Sequence, residues 1–282
     1  MKKPEILAIA NHKGGVGKTS VTVNLAHYMF EHVKKILVID MDPQAHTTWW
    51  LCKGRTGQKT ISDLLMLAVQ KDIKKDLQAK AEFEQLFHET VYDNFLGDNK
   101  LSIVPASLEL ATTKIEISSS RHEAIKYFRI TEAIKLMASE YDMVLIDCPP
   151  SIELLTWAAV AAANYILLPV QYDALSIRGA KDVMENVVPY VKEHYNPDLQ
   201  ILGLIPNSYH GATVVETTDQ MLKQAFPNKL FKTHLSRSVR VGELTTLRKT
   251  IEQASPKSKS AAEFRKLTAE IIRRIEEYEK AQ

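Results

Sequence analysis

The chain has 282 residues, of which 45% are hydrophobic and 25% are charged, and its formal net charge is +2. This composition is typical of a globular protein that can bury a core without disulfides, and the small net charge restricts any nucleic-acid contact to a local patch. The only cysteines, Cys52 and Cys148, predict no disulfide framework and a reducing cytosol. No stretch approaches the roughly 18 apolar residues of a membrane span.

Short apolar runs recur along the chain, and each is followed by a loop and a helical pattern. The runs are rich in Ile, Val and Leu and do not alternate with polar residues, which is typical of strands buried on both faces of a parallel sheet. They occupy residues 6–10, 36–39, 101–104, 143–146, 165–170 and 201–205. Helical patterns lie between them, for example at 18–31, 130–139 and 178–193. This alternation predicts an α/β fold with a mostly parallel central sheet flanked by helices on both faces.

Two segments depart from this rhythm. Residues 53–98 are polar and favour helix, and we interpret them as a helical excursion from a single domain that spans 1–282. The apolar face of this excursion comprises Ile61, Leu64, Leu65, Leu67 and Ala68. Residues 261–282 predict a terminal helix whose acidic and basic residues balance. Because a helix on a membrane surface needs an excess of basic residues, docking on the body of the protein is favoured.

A phosphate-binding pattern lies between the first predicted strand and the first predicted helix. Gly14, Gly17, Lys18 and Thr19 are spaced as G-x-x-G-K-T. Glycines let main-chain N–H groups approach phosphates closely, and the helix N-terminus adds its positive dipole end. Lys18 is expected to reach the β- and γ-phosphates, and Thr19 to place its hydroxyl on Mg²⁺. The predicted binding set for ATP is Lys13, Gly14, Gly15, Val16, Gly17, Lys18, Thr19 and Ser20.

Three aspartates follow two of the predicted strands. Asp40 and Asp42 end the run at 36–39, and Asp147 ends the run at 143–146. Ligands of open parallel sheets gather at the carboxyl ends of the strands. We therefore expect Asp147 to hold Mg²⁺ through water, Asp42 to orient the attacking water and Asp40 to support the water shell of the metal. Aspartate also favours turns, so a purely structural role is the alternative for each.

The segment Lys13-Gly-Gly-Val-Gly-Lys18-Thr19 resembles the deviant Walker motif of the ParA/MinD family of ATPases. Asp42-Pro43-Gln44 and Asp147-Cys148-Pro149-Pro150 are similar to further motifs of the ParA branch, and the resemblance covers nearly the whole chain. It implies a P-loop NTPase that forms a homodimer on binding ATP, with Lys13 touching the nucleotide of the partner subunit. Such a cation is worth roughly a thousandfold or more in phosphoryl transfer. Lys13, Lys18 and Asp42 are the catalytic residues that it implies.

The chain departs from this family pattern mainly in the loop after Asp42. Ala45-His46 replaces a more usual Gly-Asn segment, and His12 stands where the family usually has glutamine. His46 is interpreted as a satisfied loop histidine, with a contact near the γ-phosphate as the alternative. The pair Trp49-Trp50 is unusual, and either core or hinge packing or a partner contact would account for it.

Two further predictions concern the last third of the chain. Asn207 follows the run at 201–205, and its amide offers a donor and an acceptor that match the edge of adenine; turn formation is the alternative. The resemblance implies DNA binding without sequence preference by basic residues of this region, and a solvated basic face is the alternative. The candidates are Arg237, Arg240, Arg248 and Lys249, with Arg240 favoured.

The sequence thus predicts a DNA partition ATPase. Its ATP-bound homodimer is expected to bind double-stranded DNA, and a ParB-like centromere-binding partner to stimulate hydrolysis. The expected location is cytoplasmic, on the nucleoid and away from membranes. One alternative is the same ATPase positioning a carboxysome, a chemoreceptor cluster or a flagellar base. Another is a metabolic P-loop ligase or kinase, which Lys13 disfavours because it fills the space that an acceptor would need.

Overall fold

The computed structural model describes residues 4–52, 57–93, 101–119, 123–209 and 213–281; the side chains of 123, 124, 209, 213–217, 239–241 and 281 are not part of that description. Within these ranges one sheet has the strand order β3-β4-β2-β5-β1-β6-β7-β8. Its strands are β1 (Glu5–Ile9), β2 (Ile36–Asp40), β3 (Tyr92–Asp93), β4 (Leu101–Val104), β5 (Met143–Asp147), β6 (Tyr165–Gln171), β7 (Gln200–Tyr209) and β8 (Leu235–Ser236). Strand β3 pairs antiparallel with β4, and all other pairings are parallel.

Helices connect the strands and cover both faces of the sheet, so the predicted α/β fold is confirmed. They are α1 (Lys18–Tyr28), α2 (His46–Leu51), α3 (Ile61–Gln70), α4 (Leu77–Thr90), α5 (Glu109–Ser119), α6 (Glu123–Ala138), α7 (Leu154–Ala162), α8 (Ala174–Asp182), α9 (Val188–His194), α10 (Thr213–Ala225), α11 (Val239–Leu247), α12 (Ile251–Ala254) and α13 (Lys259–Ala281). A π-helical turn, Val183–Val187, joins α8 to α9 just before Pro189, whose ring and missing N–H disturb the regular helical bonding.

The two faces of the sheet belong to two hydrophobic clusters. In β1, Ile6 and Ala8 lie in the cluster that α3, α6 and α7 complete, whereas Leu7 and Ile9 lie in the cluster that α1 and α13 complete. All four side chains are buried. Burial on both faces explains why this strand appears in the sequence as a continuous apolar run rather than an alternating one.

The predicted helical excursion is present as α3 and α4, followed by the short strand β3. Helix α3 begins with a capping box, in which the Thr60 hydroxyl accepts from the Ser62 N–H and the Asp63 carboxylate accepts from the Thr60 N–H. Four of the five predicted apolar residues of α3 are buried in the cluster that also holds α6 and α7, and Leu67 is partly buried against it. The parts of this segment at 53–56 and 94–98 lie outside the described residues.

Helix α13 packs along the other face of the sheet. Its apolar side Phe264, Leu267 and Ile271 is buried with α1, and the Glu270 carboxylate accepts hydrogen bonds from the main-chain N–H groups of Lys232 and Thr233. The expected docking of this helix on the body is therefore observed. Every helix in the described ranges is too short or too polar to cross a membrane.

Candidate nucleotide site

The loop at 10–17 and the three predicted aspartates lie at one edge of the sheet. Strands β1 and β2 both pair in parallel with β5, with Ile9 and Asp40 in register with Asp147. The carboxyl ends of these three strands therefore lie side by side. The loop leaves β1 at this edge and enters α1 at Lys18, so that the first turn of a helix faces the carboxylates.

Two glycines give the loop a backbone that other residues adopt poorly. Gly15 has φ 76° and Gly17 has φ 98°, both in the left-handed region. A Cβ atom on Gly17 would lie 2.3 Å from Nδ2 of Asn207, which is a severe clash. Asn11 ties the start of the loop to the neighbouring strand β6, because its Nδ2 donates to the Pro169 carbonyl at 2.9 Å. The loop is thus fixed before any phosphate arrives.

Lys18 lies under this loop with only 6% of its surface exposed. Its Nζ donates to the carbonyls of Asn11, at 3.2 Å, and Lys13, at 3.1 Å. Burial lowers the pKa of Lys18, and the nearby negative charge of Asp147 opposes that shift. Phosphate oxygens bind an ammonium more strongly than carbonyl oxygens do. Lys18 can therefore exchange its carbonyl partners for an anion that binds in the loop.

The Lys13 side chain reaches Asp173, at the start of α8. Its Nζ lies 2.8 Å from each carboxylate oxygen of Asp173, which also accepts from the Ser176 N–H and so caps the helix. Partial burial favours the neutral acid, but the Lys13 ammonium and the helix N-terminus together hold the pKa of Asp173 below its ordinary value. In this structure the predicted trans-acting lysine is therefore paired within its own subunit.

Asp147 accepts two hydroxyl hydrogen bonds on one oxygen. Its Oδ2 receives Thr19 Oγ1 at 2.7 Å and Thr47 Oγ1 at 2.6 Å. The other oxygen, Oδ1, is buried and has no hydrogen-bond partner among the described residues. Burial raises the pKa of Asp147, although the two threonine hydroxyls oppose that shift. An orphaned carboxylate oxygen beside a threonine hydroxyl fits a hard divalent cation, which prefers oxygen ligands.

Asp40 is fully buried, and both of its oxygens are engaged by the loop that follows β2. Its Oδ2 accepts from the N–H and the hydroxyl of Thr48 at 2.8 Å and 2.7 Å, and its Oδ1 accepts from the Asp42 N–H at 3.1 Å. Burial and the charge of Asp147 raise the pKa of Asp40. These contacts make Asp40 a positioning residue for the segment that carries Asp42. A role in the water shell of a metal stays a prediction.

Asp42 follows β2 and is 9% exposed. Its Oδ1 accepts from the Gln44 N–H at 2.9 Å, and its carbonyl accepts from the Ala45 N–H at 2.8 Å. Ala45 closes this turn with φ 53°, a left-handed conformation in a residue that is not glycine. The remaining oxygen, Oδ2, is the atom of this carboxylate that can receive a proton donor from the site.

A small cavity of about 170 Å³ opens beside the loop, between Gly17, Asn207 and Arg237. The Nδ2 group of Asn207 donates to the Val16 carbonyl at 2.7 Å, and Nε2 of Gln171 donates to the Gly15 carbonyl at 2.8 Å. The structure thus brings Asn207 to the loop that precedes α1. Ser20 also lines this cavity.

The four predicted DNA-binding residues do not form one cluster in the described structure. Arg237 is exposed on the rim of the cavity, whereas Arg248 and Lys249 connect α11 to α12. Arg240 belongs to α11, but its side chain lies outside the described residues. The Arg248 guanidinium lies 4.1 Å from the centroid of the Trp49 ring, and the Lys249 carbonyl accepts from the Trp50 indole N–H at 3.0 Å.

Sequence analysis did not single out four residues that the structure places in the site, namely Thr47, Thr48, Gln171 and Asp173. Gln171 and Asp173 lie at and just beyond the carboxyl end of β6, so the strand-end rule that identified the aspartates could have found them. The two threonines follow Asp42 in a turn, and nothing in their spacing indicates that they bind buried carboxylates.

Comparisons with known proteins agree with this fold. The sequence model of the family described as "AAA domain" matches residues 4–201. The chromosome-partitioning ATPase Soj of Thermus thermophilus is 31% identical over 272 residues, which cover 96% of each chain. A point variant of McdA from Cyanothece, in complex with ATP, superposes with a TM-score of 0.77 at 19% identity, covering 96% of this chain and 97% of that one. Cobyrinic acid a,c-diamide synthase of Mycobacterium smegmatis, with a bound ATP analogue and magnesium, gives 0.75 at 22% identity, covering 97% and 96%.

Proposed function

This chain belongs to the ParA/MinD family of P-loop ATPases, and we propose that it is an ATP-dependent DNA partition ATPase. In the proposal, ATP joins two subunits, the dimer binds double-stranded DNA without sequence preference, and a ParB-like partner stimulates hydrolysis and so releases the DNA. The Thermus thermophilus relative named as a chromosome-partitioning ATPase supports the proposal, because the similarity extends over nearly the full length of both chains.

The observation that carries the proposal is the pair of lysines on one loop. The Lys18 ammonium is buried beneath the loop, whereas Lys13 leaves the loop in another direction and is held at its tip by Asp173. The position of Lys18 supports a role for this cation in binding the phosphates of its own subunit. The Lys13 ammonium would contact a phosphate only when a second subunit approaches this edge of the sheet. A metabolic ligase or kinase has no such use for Lys13.

Within the nucleotide site the chain would bind the triphosphate of ATP with Mg²⁺. Lys18 would exchange its two carbonyl partners for β- and γ-phosphate oxygens, and the N–H groups of the loop would hold the same anion. The Thr19 hydroxyl and the Asp147 carboxylate would hold Mg²⁺, directly or through water. The metal, when bound, neutralises the charge that develops on the phosphate oxygens. Asn207 would contact the base from the rim of the adjoining cavity.

Hydrolysis requires a water molecule aligned with the γ-phosphate. One carboxylate oxygen of Asp42 accepts from the Gln44 N–H, and the other is available to a water molecule. The Asp40 carboxylate accepts from the Asp42 N–H and so fixes the main chain of Asp42. We assign Asp42 the orientation of that water. Lys13 would leave Asp173 when two subunits meet and would add positive charge to the transferring group of the partner subunit's nucleotide.

DNA retention tests the proposal. The protein is passed over immobilised double-stranded DNA of random sequence at one salt concentration, with Mg·ATP and with Mg·ADP. Retention with ATP is expected to exceed retention with ADP, and the excess is expected to fall steeply with salt because the contacts are to phosphates. Equal retention with both nucleotides would contradict the partition function. ATP consumption that depends on a small acceptor would favour a metabolic enzyme instead.

A further inference from the structure

The tryptophan pair on α2 has two different environments. The Trp50 side chain is 1% exposed and belongs to the hydrophobic cluster under α1, whereas Trp49 is 53% exposed. Neighbouring residues of a helix point about 100° apart, so one can be buried while the other faces solvent. Both side chains nevertheless contact the same short segment, Arg248 and Lys249.

These contacts fix the position of Arg248 and Lys249, which connect α11 to α12. The Trp50 indole N–H donates to the Lys249 carbonyl at 3.0 Å, and the Arg248 guanidinium lies 4.1 Å above the Trp49 ring, within the range of a cation–π interaction. Arg248 has φ 50° and ends α11. The direction of this basic segment is therefore set in part by the position of α2.

The same short helix is attached by its first turn to the buried carboxylates of the nucleotide site. The Thr47 hydroxyl donates to Asp147 at 2.6 Å, and the Thr48 hydroxyl and N–H donate to Asp40. A cation that binds at Asp147 competes with the Thr47 hydroxyl for the carboxylate oxygen. Because α2 has only six residues, a shift of its first turn also moves its tryptophans.

We propose that Trp49 and Trp50 are positioning residues that couple the nucleotide site to the placement of Arg248 and Lys249. The consequence for DNA rests on the proposed function. The coupling itself is a shift of α2 and of residues 248–249 when a nucleotide binds, and it does not require DNA. Among the described residues, neither tryptophan hydrogen-bonds to Lys18, Thr19 or Asp147. They act through Thr47 and Thr48 on one side and through the 248–249 main chain and guanidinium on the other.

Tryptophan fluorescence tests the coupling without DNA. The chain has three tryptophans, and Trp157 lies on α7 against Tyr190, so Trp157→Phe leaves the α2 pair as the reporters. Adding Mg²⁺ with a non-hydrolysable ATP analogue is expected to shift the emission and to change quenching by acrylamide. The variant that also carries Lys18→Ala should show no change. Unchanged fluorescence in the Trp157→Phe protein, with nucleotide binding verified by calorimetry, overturns the coupling.

DNA retention by Trp50→Phe tests the consequence. Phenylalanine keeps an aromatic ring in the core but cannot donate to the Lys249 carbonyl. Affinity for Mg·ATP should be unchanged, whereas the ratio of retention with ATP to retention with ADP should fall about two- to tenfold, the effect of one lost hydrogen bond. Trp157→Phe is the matched control and should keep the wild-type ratio. An unchanged ratio, or an equal loss with both nucleotides, overturns the coupling.

Two safeguards keep the outcomes separate. If Trp50→Phe does not fold, Trp49→Leu at the exposed position removes only the contact with Arg248 and takes its place in the same assay. If the wild-type protein retains DNA equally with ATP and ADP, the proposed function fails, and the fluorescence experiment alone then decides whether α2 couples the two segments.

Discussion

The ammonium of Lys13 lies 2.8 Å from both carboxylate oxygens of Asp173, so the lysine assigned to the partner subunit's nucleotide is held by its own subunit. In the proposed dimer, in which Lys13 contacts the partner subunit's nucleotide, this ion pair must break. The pair is partly exposed, with 28% of the Lys13 side chain and 37% of the Asp173 side chain accessible, and pairs of this kind contribute about 0.2–1 kcal/mol. Its cost to the dimer is therefore modest.

Replacement of Asp173 by asparagine should favour the dimer. Asparagine caps a helix about as well as aspartate, so the bond to the Ser176 N–H can persist while the charge on the Lys13 partner is lost. We expect the dimer fraction with Mg·ATP to rise about two- to fivefold, measured by sedimentation velocity. Lys13→Ala in the same background should cancel the gain. An unaltered dimer fraction in Asp173→Asn would show that the ion pair does not restrain Lys13.

The two lysines of the loop should have different effects when they are truncated. Lys18→Ala removes a buried cation from the phosphate position, and we expect nucleotide affinity to fall at least about tenfold because a charge-assisted hydrogen bond is lost. Lys13→Ala should keep most of the affinity and lose the dimer and turnover. Calorimetry with Mg·ATP and solution mass by light scattering measure the two properties. Equal loss of affinity in both variants would place Lys13 in its own subunit's site.

The sequence predicted the parts of this site that are local in the chain. The glycine pattern, Lys18 and the strand-end aspartates can be recognised because strands buried on both faces leave continuous apolar runs before them. The two strands that it missed, β3 and β8, have two residues each, too few for a pattern. Asp173 pairs with a lysine 160 positions away, and Thr47 with an aspartate 100 positions away. Such pairs follow from the packing of α2 and α8 on the sheet, which no local spacing encodes.

Asp42→Ala should retain nucleotide binding but lose hydrolysis. A group that aligns and polarises water in this way contributes about a hundredfold or more to the rate, and the loss should appear in kcat rather than in affinity. With hydrolysis blocked, the ATP-bound form should persist on DNA in the retention assay. Glu84→Ala, which truncates a carboxylate on the remote helix α4, serves as the matched control. Normal turnover by Asp42→Ala would show that another group orients the water.

The ligand-free protein should lose stability as the pH rises from about 4 to about 8. Burial raises the pKa of Asp40 and of Asp147 above their unfolded values, so the native state holds protons that the unfolded state has released. The free energy of unfolding then decreases with pH between the unfolded and the folded pKa values, by about 1.4 kcal/mol for each unit of separation. Thermal unfolding from pH 5 to pH 8 measures this slope.

Asp147→Asn should remove much of that pH dependence. An asparagine carbonyl can still accept from Thr19 and Thr47, while the buried charge that also raises the pKa of Asp40 is gone. We expect the variant to be more stable than the wild type at pH 8 without ligand, and to bind Mg·ATP poorly. A stability difference between variant and wild type that is the same at pH 5 and pH 8 would show that these carboxyls titrate normally.

Ala45→Gly should stabilise the protein. Ala45 has φ 53°, a left-handed conformation that costs a residue with a Cβ atom about 1–2 kcal/mol, and the resemblance to the ParA/MinD family places glycine here. Glycine relieves that strain but loses more chain entropy on folding, so the net gain should be roughly 0.5–1 kcal/mol. Chemical denaturation at constant pH measures it, and Ala269→Gly, in the interior of α13, should instead destabilise. Because Ala45 lies between Asp42 and α2, a stabilised variant whose hydrolysis rate also falls would indicate that strain in this turn helps residues 42–51 to move.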